Sequence, residues 1–283
     1  MVSKFYSDLY QTYLMRSVGK LFLKPQHWQS QLAKIKINYS LLKVAKTERY
    51  YHSFINLFGS EIELVDSASF LWTYDDIFTK QIYKFETPNP TPIIVDCGAN
   101  IGLSVLYFKQ LYPQSYITAF EPDREVFAVL KNNIERNNFS NITLVNKALW
   151  NSETNLEFTS EKADAGRFSQ NSSKSNGEKY KVPTVRLRDY LEQSVDFLKI
   201  DIEGAETQVI QDCFDLLSNV KNLFVEYHSF NQEPQELNVL INLLTEAGFR
   251  LHIHTNSKSP QPFCHREINM GIDMLLNIFA FRE

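Results

Sequence analysis

The chain has 283 residues, 43% of them hydrophobic and 22% charged, with a formal net charge of −4. That composition belongs to a globular protein long enough for one large α/β domain plus an appendage. No window approaches the ~18 consecutive apolar residues of a membrane span, and the acidic balance disfavours nucleic acid as a partner, which calls for a basic groove.

The charge is unevenly spread. Residues 1–50 carry nine Lys/Arg and two acids, a net of +7, which leaves −11 for the remainder. Asp8, Gln11, Arg16 and Lys20 interrupt the first residues, so no signal-peptide core is expected there. Apolar residues at mixed helical spacing predict an irregular helical extension over residues 1–60. Its basic, aromatic-bearing arm (Phe5, Tyr6, Tyr10, Tyr13, Phe22 and Trp28) can lie on an anionic membrane surface or meet an acidic partner. It can instead pack on the main domain or on a second copy, and a homodimer fits the last case. Cys97, Cys213 and Cys264 are widely spaced, have no metal-type spacing and point to a reducing, cytoplasmic setting without disulfides.

From residue 61 the pattern changes. Residues 61–283 are expected to form the catalytic domain, with its core over residues 92–283. Ile62, Leu64 and Val65 read as β-like. Asp75-Asp76-Ile77-Phe78, with Tyr83 downstream, predicts a short helix that lids a ligand pocket. Residues 88–92, Pro-Asn-Pro-Thr-Pro, are a stiff break. Residues 93–97 then read as a buried strand. Gly98 and Gly102 let the backbone turn and a ligand approach closely. Leu103, Leu106, Tyr107 and Leu111 mark one face of the next helix. The dinucleotide fingerprint G-x-G-x-x-G fails, because Asn100 and Leu103 stand where its second and third glycines belong.

Residues 117–120 form the second strand, and Asp123 can cap a helix lined by Val126, Val129, Leu130 and Ile134. Residues 142–145 are the third strand, followed by Lys147-Ala148-Leu149. Residues 197–200 are the fourth, ending at Asp201, and its helix turns Val209, Ile210, Cys213 and Leu217 inward. Residues 222–226 are the fifth. Leu237, Leu240, Ile241 and Leu244 mark a helix stopped by Gly248. Residues 249–253 and 275–281 close the sheet. This alternation predicts a mostly parallel sheet with helices on both faces. Two polar loops, 159–181 and 255–271, read either as acceptor-recognition elements or as disorder.

The chemistry gathers at the strand ends. Glu121 follows Asp96 by 25 positions, and a carboxylate there can accept hydrogen bonds from both ribose hydroxyls of a nucleoside cofactor. The D-x-G-x-x-x-G turn from Asp96 to Gly102 is the one used by S-adenosylmethionine (SAM) methyltransferases. In that reading Asp96 faces the sulfonium or the methionyl ammonium. The backbone amides of Gly98, Ala99, Asn100 and Gly102 hold the methionine end, and Pro122 follows Glu121 on the same wall. Lys147 occupies the place where many such enzymes carry an adenine-binding acid, so adenine falls to the Ala148 amide.

The run Leu198-Lys199-Ile200-Asp201-Ile202-Glu203-Gly204-Ala205-Glu206 is the most distinctive stretch. With Asp96 to Gly102, Phe120-Glu121-Pro122 and Val225-Glu226-Tyr227-His228, it resembles the FkbM family of SAM-dependent methyltransferases over roughly residues 75–283. The resemblance implies the class I methyltransferase (Rossmann-like) fold with a seven-stranded, mostly parallel sheet. It also implies SAM as cofactor, S-adenosylhomocysteine as product, and O-methylation of a glycan or secondary-metabolite hydroxyl.

Methyl transfer mainly requires alignment, because the sulfonium already activates the methyl group. An alcohol acceptor also requires a base. Asp201, Glu203, Glu226 and His228 all follow the ends of the fourth and fifth strands, where the methyl should point, and Asp201 also reaches the cofactor. His228 has the best ordinary pKa for base work, with Asp201 as the rival where burial raises its pKa. Glu203 and Glu206 can bond sugar hydroxyls. Asp201, Glu226 and His228 are also ligand types for a divalent cation; their spacing does not decide this, and no metal is assigned. The competing reading is a non-catalytic module of the same fold, recruited by its basic arm. The intact acidic boxes argue against it.

Overall fold

The computed structural model describes residues 39–160, 167–168, 178–256, 259 and 261–282. The arm at residues 1–38 lies outside the described residues, and with it the expected membrane and homodimer contacts. No helix among the described residues is long and apolar enough to cross a membrane.

In chain order, a helical stretch at residues 39–44 precedes β1 (Ser53–Leu57), β2 (Ser60–Leu64) and α1 (Ser67–Tyr74), which runs into a π-helical turn, Asp75–Thr79. Next come β3 (Ile93–Cys97), α2 (Leu103–Leu111), β4 (Tyr116–Phe120), α3 (Arg124–Arg136) and β5 (Ile142–Val145). Four short strands follow, β6 (Ala148–Leu149), β7 (Asn155–Ser160), β8 (Arg167–Phe168) and β9 (Glu178–Val185). The chain closes with β10 (Val195–Ile200), α4 (Glu206–Asp212), β11 (Val220–Phe230), α5 (Leu237–Glu246), β12 (Arg250–Thr255) and β13 (Ile272–Phe281).

Seven strands form the main sheet in the order β12-β13-β11-β10-β3-β4-β5. All pairs from β11 to β5 are parallel, and β13 runs antiparallel between β11 and β12. All six residues of β10 are buried, as expected of a strand with helices on both faces. Neighbouring residues alternate between two cores. Ile94, Phe197 and Phe224 pack with α1, α2, α3 and the first hairpin; Val95, Leu198 and Val225 pack with α4 and α5. The buried carboxylate of Asp196 accepts from Thr87 Oγ1, Asn89 Nδ2, the Ile93 amide and Lys221 Nζ. It thereby anchors the proline-rich break to the start of the central strands.

The helical extension expected over residues 1–60 gives way to a hairpin from Ser53 onward. Ile55 and Leu57 point inward, and the turn between β1 and β2 has Phe58 and Gly59 at φ 55° and 93°, the two positive angles of a type I′ hairpin turn. The expected boundary at residues 60/61 falls at the start of β2. Asn133 on α3 holds the hairpin: its Oδ1 accepts from the Glu63 amide at 2.7 Å, and its Nδ2 donates to the Glu63 and Ile101 carbonyls. The 159–181 loop also has more structure at its ends than expected, since β7 reaches Ser160 and β9 starts at Glu178.

The expected lid helix starts earlier, at Ser67. Asp66 caps it, accepting from the Ser69 amide and hydroxyl, and also from Arg49 and the Tyr50 amide. Burial would raise this carboxyl, but the Arg49 guanidinium and the two amides overcome it and hold the pKa at about 2. Asp66→Ala is therefore expected to cost about 2–3 kcal/mol in urea unfolding at neutral pH. A folded pKa below the unfolded value gives stability that is present above the unfolded value and lost as the pH falls toward the folded one. The gap between wild type and variant should thus narrow as the pH drops from 3.8 toward about 2.

Candidate active site

A cleft of about 620 Å³ opens at the carboxyl ends of the parallel strands. It lies where β3 and β10 diverge into opposite halves of the sheet, the switch point at which open α/β sheets bind ligands. Trp72, Thr73 and Asp76 of the lid region border it, as do Thr255, Asn256 and Asn269 at the ends of the second polar loop.

One wall is the turn after β3. Gly98, Asn100 and Gly102 all take positive φ, at 86°, 48° and 93°. Gly98 is required for a second reason: a Cβ there would stand 1.9 Å from the Asp201 carbonyl oxygen, so the turns after β3 and β10 touch. Every amide of this turn is already used. Gly98 and Ala99 donate to the Phe120 carbonyl, Asn100 to Glu121 Oε2, Ile101 to Asn100 Oδ1, and Gly102 to the Ala99 carbonyl. The second oxygen of Glu121 accepts from the Asp123 amide at 2.9 Å. Burial dominates at Glu121 and pushes its carboxyl up to about 8, against the pull of these two amides. Pro122, Lys147 and Ala148 continue the wall.

The opposite wall is acidic. Asp201, Glu203 and Glu226 line the cleft, and Lys199 lies at its base. Lys199 Nζ donates to the Gly98 carbonyl at 2.7 Å and stands 3.4 Å from Asp96 and 3.3 Å from Asp201. Burial disfavours its charge, but Asp201, Tyr83 and Asp96 outweigh burial and hold its pKa well above the usual lysine value. Behind the acids sits His228, its side chain 3% exposed. Its Nδ1 bonds Glu206 Oε1 at 3.0 Å, and that oxygen also accepts from the Ile202 and Gly204 amides. Its Nε2 faces Glu203 at 3.5 Å and Glu226 at 3.7 Å. Burial opposes the imidazolium, but Glu203, Glu206 and Glu226 overcome it and raise the pKa well above the ordinary histidine value. Burial and the neighbouring Asp201 push Glu226 up to about 8.

The model of the methyltransferase FkbM domain matches residues 96–251, more than half of the chain. The chain belongs to the FkbM methyltransferase family. A methyltransferase of Sordaria araneosa, sdnD, is 29% identical over 230 residues, covering 67% of this chain and 86% of that protein. The 2-O-methyltransferase NoeI of Sinorhizobium fredii is 26% identical over 157 residues, covering 49% of this chain and 64% of that one. Among solved structures, methyltransferase FkbM from Methylobacillus flagellatus KT aligns with a TM-score of 0.45 and 18% identity, over 71% of this chain and 46% of that chain. As an FkbM methyltransferase the chain is an enzyme that uses SAM, not the non-catalytic module weighed against it.

The structure distributes the expected site residues of this FkbM protein unevenly. Gly98, Ala99, Asn100, Glu121, Pro122, Ala148, Asp201, Glu203 and Glu226 border the cleft. Asp96 does not: it is fully buried beneath the turn, bonded to the Ser104 hydroxyl and facing Lys199. Gly102 lies outside the wall as well, against Leu130. The amides expected to grip the methionine end are spent within the turn itself, so the turn offers close approach rather than free donors. Lys199 was not among the expected site residues. Its signal was one cation inside the otherwise apolar run Phe197-Leu198-Lys199-Ile200.

Two glycines separate shape from dihedral preference. Gly98→Ala is expected to cost more than about 3 kcal/mol, since the added methyl collides with backbone. Gly59→Ala, at the same kind of angle but with nothing within 4 Å, should cost about 1–2 kcal/mol. Equal losses in parallel urea titrations would mean that Gly98 serves its dihedral alone.

Proposed function

We propose that this enzyme transfers the methyl group of SAM to a hydroxyl of a small polyhydroxylated acceptor, a sugar-containing molecule or secondary metabolite. The observation that carries the reading is that one cleft joins two unlike walls, the Glu121 turn and the Asp201–Glu203–Glu226 acids. Glu121 keeps lone pairs for the ribose hydroxyls beyond the two amides it already accepts. Ala148 and Pro122 border the same end, where the nucleoside would lie. When bound, SAM supplies an activated methyl group on a sulfonium. The similarity to a protein named as a 2-O-methyltransferase favours oxygen as the acceptor atom. Thr255, Asn256 and Asn269 offer uncharged polar groups suited to further hydroxyls.

Glu226 is the base in this proposal. Both it and Asp201 border the cleft, but Asp201 serves as counter-ion to Lys199. His228 stands behind the wall with both ring nitrogens turned to carboxylates. With SAM and acceptor bound, the Glu226 carboxylate would take the proton of the acceptor hydroxyl as its oxygen receives the methyl group.

Glu226→Gln is expected to lower kcat by about 10²–10⁴-fold and to leave the SAM Kd within about two-fold. Glu121→Gln should do the reverse, weakening SAM binding by about 10-fold or more. Calorimetry with SAM and an S-adenosylhomocysteine release assay read both. Full turnover in the first variant removes Glu226 as base, and unchanged affinity in the second removes Glu121 from the cofactor site.

A further inference from the structure

The acids on the cleft wall are packed more densely than proton transfer requires. Asp201, Glu203 and His228 each bring a ligand atom within 4.8 Å of the other two. Ligands about 2.0–2.2 Å from a common ion stand closer than that, so side-chain movements of roughly 1 Å would close the set on a metal. The nitrogen aimed into this space belongs to a side chain that is almost wholly buried, and it lies 3.5 and 3.7 Å from its neighbours, outside the usual N–H···O range. Its other nitrogen is held by Glu206, itself fixed by two backbone amides. A carboxylate behind the distal nitrogen of a histidine is the support that orients metal-bound imidazoles. Charge points the same way: Asp201, Glu203, Glu206 and Glu226 gather around Lys199 and His228.

We propose that Asp201, Glu203 and His228 Nε2 hold a divalent transition-metal ion, of the Mn²⁺ or Zn²⁺ class, with its remaining positions open to the cleft. Imidazole in the set favours these ions over Mg²⁺ and Ca²⁺. Asp201 and Glu203 border the cleft while His228 anchors the ion from behind, so an acceptor hydroxyl can complete the coordination. The ion replaces the proton on Nε2, which leaves to solvent. This role rests on the methyltransferase reading for its purpose but not for its test.

The test is direct binding to the full chain after treatment with chelator. Mn²⁺ is followed by the loss of its free-ion resonance signal, Zn²⁺ by competition with a chromophoric chelator, and SAM by calorimetry on the same samples. One equivalent of metal should bind more tightly than about 1 mM. Glu203→Gln should weaken it by at least about 10-fold, and Glu206→Gln, which removes no metal ligand but alters the support of His228, by about 10–100-fold. Both variants should keep the far-ultraviolet circular dichroism of the wild type, so that a lost site is distinguished from a lost fold. Absence of binding by either ion at about 1 mM overturns the proposal. So does binding that is equal in wild type and both variants, which would place the ion elsewhere. SAM binding without metal binding defeats this proposal alone, and failure of SAM itself to bind defeats the methyltransferase reading.

Discussion

The ammonium group of Lys199 sits under the junction of the two central strands, and the cleft depends on it. Left alone, a buried ammonium would cost several kcal/mol. Here the Gly98 carbonyl takes a hydrogen bond from it, while Asp96 and Asp201 balance its charge. The geometry follows from the sheet. Lys199 and Asp96 are register partners on adjacent parallel strands, and Asp201 lies two residues on, toward the same side. The turns after β3 and β10 are thus drawn together until Gly98 meets the Asp201 carbonyl, a contact no other residue permits. The charges that steady the fold are the same ones that shape the floor of the cleft.

From that junction the site divides by depth. Asp201, Glu203 and Glu226 reach the cleft, whereas Glu206 and His228 stay buried behind them. The inner pair has a fixed arrangement because Glu206 is tied to two amides of the turn it follows. The outer acids face a partly enclosed space where water screens charge poorly. Burial raises the pKa of Glu226, with Asp201 adding to it, while Glu203, Glu206 and Glu226 raise that of His228 against its burial. Glu121 on the far wall is raised in the same way, by burial, with the neighbouring Asp123 adding a like charge.

Much of the fold was legible because buried parallel strands are short apolar runs between polar turns. β3, β4, β5 and β10 lie where such runs occur, and Asp123 caps α3 as its type and place suggest. Elements that lack that signal are not legible in this way, β1 and β9 among them. β1 reads Ser-Phe-Ile-Asn-Leu, five residues without clean alternation, a pattern that also fits a frayed helix, and its turn uses Phe58 where Asn or Gly is usual. β9 reads Glu-Lys-Tyr-Lys-Val-Pro-Thr-Val, polar enough to pass for loop until its partners β6 and β7 are known.

For the site, the sequence by itself determined which residues stand at the strand ends, and so which chemistry gathers there. Gly98, Glu121, Asp201, Glu203 and Glu226 follow from the spacing of strands and turns, which is local information. Tertiary structure alone decided which of them face the cleft. It spends the turn's amides internally, sinks Asp96 beneath them, places His228 behind the acids and brings Lys199 to the base. The physical reason is that facing is set by pairing between distant segments. Asp96 meets Lys199 across 103 positions of chain, and Glu206 meets His228 across 22. Periodicity within one segment carries no record of either contact.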